Sequence, residues 1–116
     1  MASVQEYIRE NLGKRLSLND VAAVFNFSPS YLSRLFTKNA DCGFVEFITV
    51  ERVEAAKEMF ARREGRVNEV AERLGFESAF YFSKVFKKHA GVSPREYLQA
   101  LTDSGAGDSN IRLIPR

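Results

Sequence analysis

Two stretches of this chain carry side chains suited to reading a polyanion. Tyr31-Leu32-Ser33-Arg34-Leu35-Phe36-Thr37-Lys38 aligns without a gap on Tyr81-Phe82-Ser83-Lys84-Val85-Phe86-Lys87-Lys88. At helical spacing, Ser30, Ser33, Arg34, Thr37 and Lys38 fall on one face of the first stretch, and Phe80, Ser83, Lys84, Lys87 and Lys88 on the same face of the second. The opposite, inward faces are Tyr31, Leu32, Leu35, Phe36 and Tyr81, Phe82, Val85, Phe86. Short hydroxyls and long cations near a helix start suit hydrogen bonding to base edges, and cations farther along suit phosphates. Arg34 offers a planar fork that matches guanine bidentately, and Lys84 offers a point donor. Lys38, Lys87 and Lys88 stand where backbone contact is natural. Phe80 suits contact with a thymine methyl, or packing on a neighbouring lobe. The chemistry is recognition rather than catalysis.

The elements that would position these faces repeat as well. Asp20-Val21-Ala22 answers Glu69-Val70-Ala71, and Asn26-Phe27 answers Gly75-Phe76. Each copy therefore reads as a short helix, a tight turn and a second helix, the layout of a helix-turn-helix, so DNA binding is the leading expectation. Apolar spacing is helical throughout and predicts an all-α fold. The expected helices run from about Val4 to Leu12, closed by Gly13; from a capping box at Ser17 to about Phe25, ended by Asn26 in the left-handed conformation; and from Ser28-Pro29 to about Asn39. A long helix over Phe44 to Ala61 follows, with a Glu58–Arg62 pair near its end, then a link over Arg62 to Arg66. Helices over Asn68 to Leu74 and Ser78 to His89 repeat the first pair, Gly91 breaks the chain, and Ser93-Pro94-Arg95-Glu96 caps a last helix through Leu101. This gives about seven helices: lobe one at about 4–41, a linker helix at about 44–61, lobe two at about 67–101, and a mobile tail over 102–116.

Charge is distributed rather than large. The 116 residues carry a formal charge of only +2, but Ser78 to Arg95 holds Lys84, Lys87, Lys88 and Arg95 without an acid, and Ser30 to Asn39 holds Arg34 and Lys38 without one. Acids gather at Glu46, Glu51, Glu54, Glu58 and Glu64, which leaves the repeated helices with basic faces. One cysteine excludes an internal disulfide, and one histidine excludes the usual zinc-finger ligand sets. No segment approaches the roughly 18 apolar residues of a membrane span and no signal peptide is visible, so a cytoplasmic protein without a membrane partner is expected.

Several residues tempt toward other chemistry. Cys42 aligns by the repeat with Val92 and is expected to be a small buried apolar residue rather than a redox sensor. His89, aligned with Asn39, suits a helix C-terminus electrostatically and has no second ligand or base nearby in the pattern. Glu51, Glu54 and Glu58 lie among Arg52, Lys57 and Arg62, which reads as a solvated salt-bridge face. Neither a phosphate-binding glycine loop nor a nucleophile elbow is present. No catalytic set, metal site or cofactor is expected, and the chain is not expected to be an enzyme.

The run from Glu69-Val70-Ala71 through Ser78-Ala79-Phe80-Tyr81-Phe82-Ser83-Lys84 to Gly91-Val92-Ser93-Pro94-Arg95-Glu96-Tyr97 closely resembles the signature of AraC/XylS-type transcription regulators. Ser28 to Phe36 resembles that family's first motif, and Phe44, Phe47, Ile48, Arg52 and Ala56 resemble its linker helix. The resemblance spans about Val4 to Leu98. It implies two helix-turn-helix lobes joined by the long helix, with both recognition helices entering successive major grooves. It also implies base-reading roles for Ser30, Ser33 and Arg34 in the first lobe and for Ala79, Phe80, Ser83 and Lys84 in the second. Backbone roles fall on Thr37, Lys38, Lys87 and Lys88, and Arg52 is implied to turn inward toward a lobe. The chain departs from the family at Asp41, often glycine, at Gly43, often a small capping hydroxyl, and at Arg66, which stands in the place of Ser17 and gives the second motif no hydroxyl cap.

A single chain of this kind is expected to read an asymmetric two-box site on double-stranded DNA, with its boxes about one helical turn (~34 Å) apart. The resemblance implies RNA polymerase as a second partner. No sensor is apparent, which leaves a stand-alone small regulator or the excised C-terminal module of a larger one. Because the chain begins almost directly on a helix after Met1-Ala2-Ser3, the excised module is expected, with a covalently attached sensor or receiver domain in the full-length protein. The alternative is a helical protein-interaction module contacting RNA polymerase or another regulator.

Overall fold

A computed structural model describes residues 1–40 and 42–103; Asp41 and most of the expected tail, 104–116, lie outside the described residues. The described residues form seven α-helices: α1 (Ala2–Glu10), α2 (Leu18–Val24), α3 (Pro29–Asn39), α4 (Phe44–Ala61), α5 (Val67–Arg73), α6 (Ala79–Ala90) and α7 (Pro94–Asp103). The chain divides into two units within α4, one over Met1–Arg52 and one beginning at Val53.

Local chemistry sets most helix ends. The Oγ of Ser17 accepts from the Asp20 N–H (3.0 Å) and that of Ser28 from the Tyr31 N–H (3.1 Å). Pro29 follows Ser28 in the first turn of α3, where its missing N–H costs nothing. In α7 the capping box is reciprocal: the Ser93 N–H donates to Glu96 Oε1 (2.9 Å) and the Glu96 N–H donates to Ser93 Oγ (3.1 Å). Gly91 ends α6 in the left-handed region, at φ 87°. Gly13 does not end α1. The helix stops at Glu10, and Asn11 caps it, donating its Nδ2–H to the Tyr7 carbonyl (2.7 Å). At the other end of the chain, α7 takes in Thr102 and Asp103, two residues beyond the expected Leu101.

In the first unit, Val4, Ile8, Val21, Ala22, Leu32 and Phe36 are buried with Phe44 and Phe47. The Phe36 ring meets Phe44 edge-on at 5.4 Å and Phe47 at the same separation. α1 and the loop after it are fastened to α4 by polar contacts: Arg52 donates from Nε to the Leu12 carbonyl and from Nη2 to the Lys14 carbonyl, both in that loop and both at 3.0 Å. Arg9 pairs with Glu51 at 2.9 Å and lies over the Phe47 ring. Arg52 thus turns inward, and partial burial pulls its guanidinium below its ordinary range.

The second unit repeats the scheme. Val70, Ala71, Phe82 and Phe86 take the places of Val21, Ala22, Leu32 and Phe36, and all four are buried. Phe60 joins them with Tyr97, its ring 5.9 Å from Phe86 and 6.4 Å from Tyr97. Phe60 is 1% exposed, so its truncation to alanine costs about 3–5 kcal/mol.

Three expectations about side chains are corrected. Tyr31 and Tyr81 are not inward: they are 44% and 55% exposed. Each stands in the first turn of its helix at the margin of the apolar stripe, its ring against a turn phenylalanine (Phe27 at 4.9 Å, Phe76 at 6.2 Å), which suits an amphipathic ring. Lys57 is not solvated but 6% exposed, its stem buried in the helix face and its ammonium held by Glu54 at 3.0 Å. Cys42 is only half-buried, and its counterpart Val92 is exposed, because both lie at loop positions beyond the helices they follow.

Candidate nucleic-acid interface

The two helix pairs, α2–α3 and α5–α6, share one turn geometry. Asn26 and Gly75 both take the left-handed conformation, and the following Phe27 and Phe76 N–H groups reach back to the carbonyls of Ala22 (2.8 Å) and Ala71 (3.0 Å). Such a turn ends the first helix and sends the chain at once into the second. α3 and α6 then begin on equivalent serine caps, Ser28 and Ser78, each accepting from the N–H of the tyrosine three residues on. The first turns that bear the proposed base-reading residues are therefore fixed by hydrogen bonds at both ends of the turn.

On α3, Ser30, Ser33, Arg34, Thr37 and Lys38 are all exposed. Ser30, Ser33 and Arg34 line an open concavity with Leu18 and Pro29, so the start of α2 forms one wall of the surface they present. Arg34 and Lys38 have no ion-pair partner among the described residues, and both cations are available to an external anion. Thr37 is partly committed, its hydroxyl donating to the Ser33 carbonyl at 3.1 Å; its oxygen still accepts.

On α6, Phe80, Lys84, Lys87 and Lys88 are exposed, while Ala79 and Ser83 are half-buried. Phe80 is 75% exposed, and the Lys84 Nζ sits 5.4 Å from its ring centroid. Burial of a large apolar ring stabilises a fold by roughly 1.5–3 kcal/mol, so a ring left this open contributes little to folding. Lys87, Lys88 and His89 occupy the last turn of α6, where positive charge complements the helix dipole. The two faces differ in kind: α3 presents hydroxyls and an arginine, α6 an aromatic ring and lysines.

Tyr31 and Tyr81 join these faces as exposed rings that sequence spacing assigned inward. The signal that separates them from Leu32 and Phe82 is position: first turn, stripe margin, beside a phenylalanine in the turn. Other cations stand exposed in the loops that enter the helix pairs, Lys14 and Arg15 before α2 and Arg63 and Arg66 before α5. Among the described residues, no group of three or more histidine, cysteine or acidic side chains is arranged to hold a metal, and no helix is long and apolar enough to cross a membrane.

Comparison with known proteins agrees with this geometry. Residues 21–100 match the helix-turn-helix domain family. The uncharacterized HTH-type transcriptional regulator YijO of Escherichia coli K12 is 38% identical over 95 residues, which are 82% of this chain and 34% of that protein. The chain spans about one third of the length of the curated relatives it matches. The C-terminal domain of AraT, a response regulator from Geobacillus stearothermophilus, superposes with a TM-score of 0.83 at 35% identity, covering 93% of this chain and 90% of that one. The DNA-binding domain of AdpA, a global transcriptional factor solved in complex with a target DNA, shares the fold (TM-score 0.86, 24% identity, 92% and 96% covered). With seven helices, a twice-used capped turn and this sequence match, the chain belongs to the helix-turn-helix family of AraC/XylS-type transcription regulators and is a DNA-binding domain of that type.

Proposed function

We propose that this domain binds double-stranded DNA sequence-specifically, α3 and α6 entering successive major grooves of an asymmetric two-box site. The observation that carries the reading is the duplication of one capped helix-turn-helix whose second helix each time exposes cations with no ion-pair partner among the described residues, beside hydroxyls on α3 and beside the Phe80 ring on α6. Ser30, Ser33 and Arg34 read the first box, with Thr37 and Lys38 on its backbone. Ala79, Phe80, Ser83 and Lys84 read the second, with Lys87 and Lys88 on its backbone. Phe80 and Ala79 give apolar contact suited to thymine methyls, so the second box is read more by shape and methyl groups than by polar edges. The AdpA domain is solved on DNA, which supports the same use of this fold here.

Contact with RNA polymerase and control by an attached sensor or receiver domain belong to the same proposal. The relatives extend well beyond the matched region, and the AraT domain is part of a response regulator, which supports a further domain in the full-length protein.

The test is selection of binding sites from a randomised duplex pool of about 30 base pairs at near-physiological salt. Two short boxes about one turn apart are expected. Arg34→Ala relaxes the first box and Lys84→Ala the second, each costing about 1–3 kcal/mol against the preferred base. A chain that enriches no sequence and shows no salt-dependent duplex binding refutes the reading, and leaves a protein-interaction module in its place.

A further inference from the structure

The link between α4 and α5 breaks two local rules in the same direction. α4 ends in a Schellman motif: the Arg63 N–H reaches the Phe60 carbonyl (3.0 Å) and the Glu64 N–H the Met59 carbonyl (2.9 Å). The first of these donors, Arg63, is left-handed at φ 57°. The same conformation ends α2 at Asn26, α5 at Gly75 and α6 at Gly91, using the residue types that tolerate it. Among the described helix ends in this conformation, only this one uses a long cationic side chain, although glycine stands two residues on, at Gly65. Three residues after Arg63, the N-cap of α5 is Arg66, where the equivalent position of the first unit is the hydroxyl cap Ser17. Arg66 provides no side-chain acceptor; the Glu69 carboxylate takes its backbone N–H at 2.8 Å instead.

A residue kept where the backbone disfavours it points to a use outside the fold. Both arginines are exposed, and neither has an ion-pair partner among the described residues. The acids that could neutralise them are otherwise engaged. Glu58 and Glu64 both pair with Arg62 at 3.7 Å, and Glu69 holds the Arg66 N–H. Arg73 donates to the Glu64 carbonyl at 3.2 Å, bracing the loop that carries them. We propose that Arg63 and Arg66 form a phosphate clamp at the entry to the second helix-turn-helix, gripping the duplex backbone beside the groove that α6 enters. This rests on the DNA-binding reading. It gives the second unit, where two of the four reading positions, Ala79 and Phe80, offer no hydrogen-bonding side chain, a grip that does not depend on sequence.

Arg63→Gly relieves the left-handed position and Arg66→Ser restores a hydroxyl cap, so neither is expected to unfold, and their melting temperatures check this. Both are expected to melt higher than the parent chain, by about 2–6 °C, while binding a 30-base-pair duplex several-fold more weakly. The slope of log affinity against log salt falls by about 0.9 for each arginine removed, uniformly across duplex sequences. Arg62→Gln, which removes a cation already paired with Glu58 and Glu64, leaves affinity and slope near the parent values. Variants that bind with unchanged affinity and slope overturn the clamp while the parent's own binding stands. An equal loss in Arg62→Gln overturns it too, by showing only a response to net charge. A parent chain without salt-dependent duplex binding removes the DNA-binding reading and the clamp together.

Discussion

Asn26 and Gly75 hold the same left-handed backbone position in the two helix-turn-helix turns, at φ 62° and 81°. The next residue, a phenylalanine in both, closes the turn onto the alanine five residues back. Asparagine reaches this conformation because its short polar side chain bonds locally, glycine because it has no Cβ. The two positions therefore respond differently to substitution. Gly75→Ala is expected to destabilise the chain by about 1–2 kcal/mol, whereas Asn26→Gly is expected to stay within about 0.5 kcal/mol. Urea midpoints at a common slope measure both. A Gly75→Ala variant as stable as the parent chain contradicts the strain assigned to this turn.

The parts of the fold that local chemistry encodes were legible in the sequence. Ser28-Pro29 and Ser93-Pro94 name helix starts by themselves, because a hydroxyl acceptor and a pre-set φ act within one turn. The duplicated stretch likewise indicates which faces stay exposed, since one polar pattern used twice is hard to reconcile with a core. What spacing could not resolve depends on atoms beyond the local turn. Tyr31 and Tyr81 count as apolar on a helical wheel, yet sit at the stripe's margin with their rings at the surface. Lys57 belongs to a charged run, yet its long aliphatic stem is buried and only its ammonium needs Glu54. Arg63 looks like an ordinary linker cation until its φ is seen.

Arg52 is the tie between α4 and the loop that follows α1. Its Nε and Nη2 donate to the carbonyls of Leu12 and Lys14, two loop acceptors beyond the end of α1. Hydrogen bonds from a charged donor are each worth about 1.5–3 kcal/mol when buried, and half-exposure brings the pair to roughly 1–3 kcal/mol in all. Arg52→Met is expected to lower stability by that amount. Arg52→Lys recovers little of it, because an ammonium cannot reproduce two bonds from one rigid fork. By contrast, Arg9→Ala removes an exposed pair with Glu51 and costs about 0–1 kcal/mol. Chemical denaturation of the three variants ranks them; a lysine variant equal to the parent chain shows that charge alone, without the fork, holds the loop.

The α7 cap makes stability depend on acid. The Glu96 carboxyl is held below its usual range first by the Ser93 backbone N–H and then by the Ser93 side chain; desolvation opposes them, and the charge of Lys87 adds a lesser lowering. A carboxylate whose folded value is depressed contributes stability that is present above the unfolded carboxylate value, near pH 4.3, and is lost as pH falls through the folded value. Protonation takes away the charge that strengthens the bond from Ser93 N–H, and α7 loosens from its N-terminus. Glu96→Gln keeps an acceptor oxygen but no titration. Melting temperatures between pH 6 and pH 3 are expected to fall less steeply in that variant than in the parent chain, the two curves converging at the acid end. Parallel curves across this range show that other carboxylates set the acid response and that the Ser93–Glu96 cap is electrostatically neutral.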